Sequence, residues 1–371
     1  SRCCWLTGFH TGHAQMRGNS ATWLRPQDLT IQEHLRLAGY RNGVIGKWSM
    51  GPLGTTGFPL EKGVDEFFGY FSQRHAHTYY PQLLLHNRRH VELPRNWSQT
   101  PDQYAPDVFT EQAVKFIRET RGPYYLEVNF TTPHANNERS RELGEGNEVP
   151  DQGIYADRPW HDSAKNHAAM ITRMDRDIGE LFAQLKQLGL DERTLVMFSS
   201  DNGPHREGGP NYDPAFFTPS GPFSGLKRSL TDGGIRVPFL ARWPGRIKAG
   251  AVSDHVGYFG DLMATWAELA GAKPPAKLDS LSLVPTLLGR GGQRKHEYLY
   301  WEFYEQGVSQ ALLLDGRWKA IRLRTLKAPI QLFDLATDPA EKTNLAAAQP
   351  ALVARAEGLM RTARVDNEHW K

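Results

Sequence analysis

The chain has 371 residues, with 44 basic and 41 acidic side chains and a formal charge of +3. That balance excludes the basic footprint of a nucleic-acid binder, and no apolar run reaches the ~18 residues of a membrane-spanning helix. With 39% hydrophobic residues, 10 Trp, 13 Tyr and 17 Phe, the chain is not disordered. Glycine (35) and proline (24) are frequent but without a Gly-X-Y period, which fits a loop-rich globular protein of about two domains. The only cysteines, Cys3 and Cys4, are adjacent, so there is no long-range disulfide framework and no assignment of compartment.

The first signals are helical. Thr30 and Glu33 form a capping box before a stripe of Ile31, Leu35 and Ala38, and Gly39 stops it. A short strand follows over Arg41–Lys47. Phe109, Ala113 and Phe116 predict a second helix that stops near Gly122, and Pro123–Phe130 predicts a strand. The longest helix is predicted over Ala164–Leu188, with Met170, Met174, Ile178, Leu181, Leu185 and Leu188 on one face and Gly189 at its end. Thr194–Ser200 and Ile235–Trp243 read as strands and Asp261–Leu269 as a helix. After Gly289–Arg294 the pattern changes: His296–Tyr304 and Ser309–Arg322 read as antiparallel strands, the second bent at Asp315-Gly316. Gln331–Leu335 adds a strand and Pro350–Ala363 a closing helix. Alternation of this kind predicts an α/β fold, a mostly parallel sheet sandwiched by helices, followed by a smaller α+β domain with an antiparallel sheet and a helix. The expected division is residues 1–290 and 291–371.

In open α/β sheets, sites form where strands run into loops, and four such places carry suggestive residues. Phe198-Ser199-Ser200-Asp201-Asn202-Gly203 brings a carboxylate and an amide oxygen, hard donors for Ca²⁺ or Mg²⁺, or else an Asx turn. Gly46-Lys47-Trp48-Ser49 offers a compact cation for an anion, or a solvated turn lysine. Thr131-Thr132-Pro133-His134 offers an imidazole for proton transfer, or a structural histidine. Gly225-Leu226-Lys227-Arg228, leading through Asp232-Gly233-Gly234 to Pro238, offers a second cation or an ordinary basic loop.

Their order resembles the formylglycine-dependent sulfatases of the alkaline-phosphatase-like superfamily. Ser1-Arg2-Cys3-Cys4-Trp5-Leu6-Thr7-Gly8 is similar to the second half of the signature C-x-P-S-R-x-x-x-L-T-G, and Leu332-Phe333-Asp334-Leu335 with Asp338-Pro339 and Glu341–Leu345 resembles the C-terminal signature. The resemblance spans essentially the whole chain. It implies that Arg2 contacts the nucleophile and the metal-site oxygens, that Lys47 and Lys227 bind the sulfate group, and that His134 binds sulfate and protonates the leaving oxygen. It implies that Asp201 and Asn202 ligate a metal, Ca²⁺ or alternatively Mg²⁺. The implied substrate is a small-molecule or carbohydrate sulfate ester, with no nucleic acid or membrane partner. Bacterial relatives are commonly exported, which implies a periplasmic or extracellular site.

Two departures qualify the resemblance. The family nucleophile, a Cys converted to formylglycine by a maturation enzyme or in some members a Ser, falls three residues before Ser1. A pair of N-terminal metal-ligating Asp residues also has no match. The expectation is an N-terminally truncated chain, inactive and poorly stable by itself. Cys3 and Cys4 do not match the nucleophile and are expected as small semi-buried residues on a helix. Second, Ser49 stands where many members have a His that acts as a base on the sulfated intermediate. Gln73–Pro81 resembles a bacterial branch in which His77, or next to it His75, supplies that imidazole; a stacked loop histidine is the alternative. His13 either lines the pocket or belongs to a structural turn over Thr11–Asn19. Tyr79, Tyr80 and Trp160 either stack on a sugar ring or pack locally. Two further readings are a phosphoesterase or phosphonate monoester hydrolase of the same superfamily, and an inactive sulfatase-like binding protein.

Overall fold

A computed structural model describes residues 1–19 and 21–371. In chain order the helices are α1 (Arg2–Thr7), α2 (Ile31–Leu37), α3 (Ala105–Glu119), α4 (Asn137–Leu143), α5 (Asp162–Gln187), α6 (Asp232–Ile235), α7 (Asp261–Leu269), α8 (Val284–Leu287) and α9 (Pro350–Thr362). The strands are β1 (Arg41–Gly46), β2 (Glu66–Gly69), β3 (Leu83–His86), β4 (Arg89–Glu92), β5 (Tyr124–Asn129), β6 (Val196–Ser199), β7 (Phe239–Arg242), β8 (Tyr298–Tyr304), β9 (Val308–Leu314), β10 (Trp318–Arg322) and β11 (Gln331–Asp334). Among the described residues, no helix is long and apolar enough to cross a membrane. The chain divides into two compact units. The first comprises Ser1–His34, Leu195–Pro204 and Thr218–Lys371; the second comprises Leu35–Thr194 and His205–Phe217.

The second unit is built on a five-stranded sheet in the order β4-β3-β2-β1-β5. β1 pairs in parallel with β2 and with β5, while β3 and β4 extend one edge antiparallel. β1 is buried from Asn42 to Gly46, as a central parallel strand with covered faces must be. The predicted stripe of α3 explains one cover. Phe109, Ala113 and Phe116 are buried against Ile45, Phe68, Tyr70 and Leu84, and the two phenylalanines contribute about 1.5–3 kcal/mol each by leaving water. α5 packs on α3 and buries Met170 and Leu185, while Leu188, past its last turn, is exposed. The edge hairpin β3–β4 had no readable period; its turn is carried by Asn87 in the left-handed region.

The first unit holds the antiparallel sheet β11-β10-β9-β8, packed on α9 through Tyr300, Leu312, Leu314, Leu332, Ala356 and Met360. The predicted bend at Asp315-Gly316 is the centre of a three-residue hairpin connection, with φ of 52° and 70° and Arg317 N–H donating to Leu314 O at 2.9 Å. β6 and β7 form a separate antiparallel pair. The strand expected from Ile235 starts only at Phe239. Asp232–Ile235 is a helical turn instead, with Gly233 N–H donating to Ser224 O and Arg236 N–H to Asp232 O, and Pro238 has no N–H for a ladder. α1 packs on α7. Cys3 and Cys4, expected semi-buried, are buried in that contact at 3% and 5% exposure. Burial pushes the Cys3 thiol up to about 12, so it is not a nucleophile at neutral pH.

Candidate active site

In the second unit the parallel strands β1, β2 and β5 end at the same edge of the sheet, and the three segments that leave them carry Lys47, His77 and His134. Gly46 has φ 98°, and a Cβ there would lie 2.2 Å from Asn129 O. Only glycine therefore lets β1 and β5 close up, with Lys47 N–H donating to Asn129 O at 3.1 Å. Lys47 is buried. The Thr132–Pro133 peptide is cis.

The imidazoles are oriented. His134 Nδ1–H donates to Ala135 O at 2.7 Å, and Tyr79 Oη donates to His134 O at 2.5 Å. The His77 ring stacks on His134 with centroids 5.2 Å apart and planes 7° apart. His77 Nδ1–H donates to Glu138 Oε2 at 2.8 Å. Since a carbonyl or carboxylate can only accept, both rings commit Nδ1 as donor, which makes Nε2 the basic nitrogen of the neutral ring. Burial pulls the Glu138 carboxyl up, but the His77 hydrogen bond and the Arg74 charge outweigh it and hold it below its usual value. His205 lies beside His134 at 5.9 Å, and its Nε2–H donates to Pro133 O at 3.1 Å. His75 differs. It stacks on Phe71, its Nδ1 accepts from Phe71 N–H at 3.2 Å, and burial pushes it down to about 4. It packs as a neutral ring. Tyr79 is fully buried against Tyr104 and belongs to the core. The Ser49 hydroxyl is buried with no hydrogen-bond partner among the described residues.

In the first unit, β6 runs into Ser200-Asp201-Asn202-Gly203. Asn202 Nδ2 donates to Gly203 O at 2.8 Å, which orients the amide and leaves its oxygen as the ligand-type atom. Asp201 is exposed. A carboxylate and an amide oxygen on one loop fit a hard divalent cation such as Ca²⁺ or Mg²⁺. Ser1 Oγ donates to Asp201 O, which brings the start of α1, where Arg2 sits, to this loop. Gly203 N–H donates to Gly234 O at 2.9 Å, and a Cβ at Gly203 would lie 1.9 Å from Gly233 O. Lys227 N–H donates to Pro204 O at 2.7 Å, so the Asp201 and Lys227 loops share a backbone frame.

That frame is anchored by a buried ion cluster that sequence inspection missed. Lys319 Nζ on β10 donates to Asp232 Oδ1 at 2.7 Å and lies 3.7 Å from Glu341 Oε1. Glu341 Oε2 accepts from Asp232 N–H at 2.7 Å, and Ser224 Oγ donates to Ala340 O. The C-terminal signature thus holds the loop that carries Lys227. Lys319 sits mid-strand with no local cue, whereas Glu341 lay inside a quoted motif. Glu138 was also missed, although it falls four residues after His134. His13 donates from Nδ1 to Asp279 at 2.8 Å. Beside it, His10 Nδ1 accepts from Gly12 N–H at 3.2 Å, which leaves Nε2 protonated in the neutral ring. The His10, His13 and Asp279 group is therefore poorly set for a metal.

Comparison with known proteins fits this geometry. A family model described as Sulfatase matches residues 1–272, and one described as N-sulphoglucosamine sulphohydrolase, C-terminal, matches residues 224–360. Mouse N-acetylgalactosamine-6-sulfatase is 31% identical over 84% of this chain and 59% of its own length. N-acetylgalactosamine-6-O-sulfatase of Bacteroides thetaiotaomicron is 31% identical over 94% of this chain and 79% of its own. The chain spans about three-fifths of the mammalian relatives it matches, 58% of the dog protein. The crystal structure of Ps i-CgsB, also solved in complex with k-i-k-neocarrahexaose, has a TM-score of 0.79 at 25% identity, covering 98% of this chain and 81% of that one. The fold is thus the alkaline-phosphatase-like one, and with a family model matching residues 1–272, the chain belongs to the sulfatase family.

Proposed function

We propose that the protein hydrolyses sulfate esters of carbohydrates. The observation that carries this is the ordered pair His77 and His134, both with Nδ1 committed and the first held by Glu138, in a chain that also carries Lys47 and Lys227 at the family's positions. The relatives supply the class: two are named for N-acetylgalactosamine 6-sulfate, and the structural neighbour was solved in complex with k-i-k-neocarrahexaose.

In the role that the family resemblance gives them, Lys47 and Lys227 each bind the sulfate group, and cations held in place need no reorganisation as charge shifts. A sugar hydroxyl is a poor leaving group, so His134, protonated, gives a proton from Nε2 to the leaving oxygen. His77 accepts a proton at Nε2, in the role of the family histidine replaced by Ser49, and Glu138 holds its tautomer. Asp201 and Asn202 would hold a Ca²⁺ or Mg²⁺ ion, whose contribution when bound is to polarise the sulfuryl oxygens, and Arg2 at the neighbouring helix start would donate to the nucleophile and to the metal-site oxygens. The covalent step belongs to a formylglycine, installed by a maturation enzyme at a position that the family pattern puts before Ser1. The expected division into a catalytic domain and a C-terminal subdomain after residue 290 is retained with this reading.

The test is sulfate release from N-acetylgalactosamine 6-sulfate and from an aryl sulfate by the full-length, matured protein, with the matching aryl phosphate in parallel. Sulfate release that His134→Ala removes is the expected result. Phosphate release alone would move the protein to the phosphoesterases, and no release of either would support the inactive homologue.

A further inference from the structure

We propose that Trp160, Phe216 and Phe217, with Arg158, form a subsite for a second, anionic sugar ring of the substrate. The inference rests on the carbohydrate sulfatase reading and deepens it. The rings come from two segments of the second unit, the loop between α4 and α5 and the end of the His205–Phe217 stretch. Tyr155 stacks on Trp160 at 5.7 Å, and Phe216 and Phe217 meet its ring edge-on at 5.6 and 5.4 Å. The cluster is ordered by its own contacts, yet Phe216 and Phe217 remain 44% and 41% exposed, and neighbouring Ile154 is 76% exposed. A contiguous apolar surface left in water beside a polar site marks binding rather than packing.

The platform is continuous with the imidazoles. Phe217 stacks on His167 at 6.3 Å, His167 meets His205 at 5.6 Å, and His205 meets His134 at 5.9 Å. Three ring-to-ring contacts connect it to His134, so the platform serves a sugar beyond the sulfated one rather than the sulfated ring itself. Burial pushes His167 down to about 4, so the nearest step is a neutral ring that presents no competing charge. The charge comes from Arg158, whose guanidinium lies 5.7 Å from the Trp160 ring centroid. The exposed Phe216 and Phe217 rings, buttressed by Trp160, with a cation held over the Trp160 ring beside them, recognise a pyranose that bears a carboxylate or a second sulfate, through apolar contact and ion pairing.

The test compares, in the full-length matured protein, a sulfated monosaccharide that the wild type turns over with a tetrasaccharide ending in that sugar and carrying a uronate next to it. Trp160→Ala and Phe217→Ala should raise KM for the tetrasaccharide about tenfold, the equivalent of ~1.4 kcal/mol, and leave the monosaccharide unchanged. Arg158→Ala, on an exposed side chain, keeps the test independent of folding and should weaken the uronate tetrasaccharide but not one with a neutral second sugar. Equal losses on both substrates, or none, overturn the subsite while leaving the sulfatase reading intact. Absence of wild-type turnover on every sulfated sugar overturns both.

Discussion

The two units hold their functional residues by different physics. In the first, Lys227 and the Asp201-Asn202 loop are set by backbone hydrogen bonds and by the buried Asp232, Lys319 and Glu341 charges. In the second, His77 and His134 sit half-buried on the loops that follow β2 and β5, aligned by stacking and by one carboxylate or carbonyl each. Charges that must recognise an anion without moving profit from a frame that cannot relax. Groups that must gain and lose protons need a fixed tautomer but also solvation of the charged form, which a ring packed on an aromatic neighbour loses, as His75 does on Phe71. Variants in the buried charges behind Lys227 should therefore read out mainly as stability, and variants at the imidazoles as catalysis.

The strongest way to break this contrast is at the imidazoles. His134→Ala should lower kcat by about 10²–10⁴, and His77→Ala should abolish turnover, with melting curves close to wild type for both. A collapse of the melting transition would mean that the stack is structural. Next is Lys319→Met, which leaves two buried carboxylates facing each other and should destabilise by about 3–5 kcal/mol in urea unfolding; a wild-type unfolding curve would show that the cluster does not hold the Lys227 loop.

The pH dependence of stability has a defined sign. Burial pushes His10, His75 and His167 down to about 4. In the unfolded chain they take protons near pH 6.5, so between about pH 6.5 and 4 the unfolded state binds more protons and stability falls as pH falls. The well-buried His167 alone should contribute about 3 kcal/mol across that window, and His167→Phe should flatten the profile. The smallest effect should come from Glu138→Gln, which keeps the shape but loses the charge. We expect kcat to fall about tenfold to a hundredfold with KM unchanged, and Glu138→Asp to recover part of it. A change in KM alone would make Glu138 a substrate contact.

Legibility followed how local each signal was. The capping box at Thr30 and Glu33 is present, with Thr30 N–H donating to Glu33 Oε2 at 2.8 Å. The stripes of α3 and α5, the 315–316 turn and the antiparallel end sheet were all readable, because each depends on residues a few positions apart. The edge strands β3 and β4 were not, since four-residue strands hold no period. Ile235–Trp243 misled because apolar composition outweighed the Gly-Gly turn that capping by Glu341, 109 positions away, makes helical.

By itself the sequence determined the family and the identity of Arg2, Lys47, His77, His134, Asp201, Asn202 and Lys227 as candidates, because those rest on residue type and order. Only the tertiary structure decided which imidazole is a packed neutral ring and which is held by a carboxylate, that Tyr79 is core, and that Lys319 and Glu341 stand behind Lys227. Burial, tautomer and pairing are properties of neighbours brought together from distant positions, and a linear string carries no distance between them.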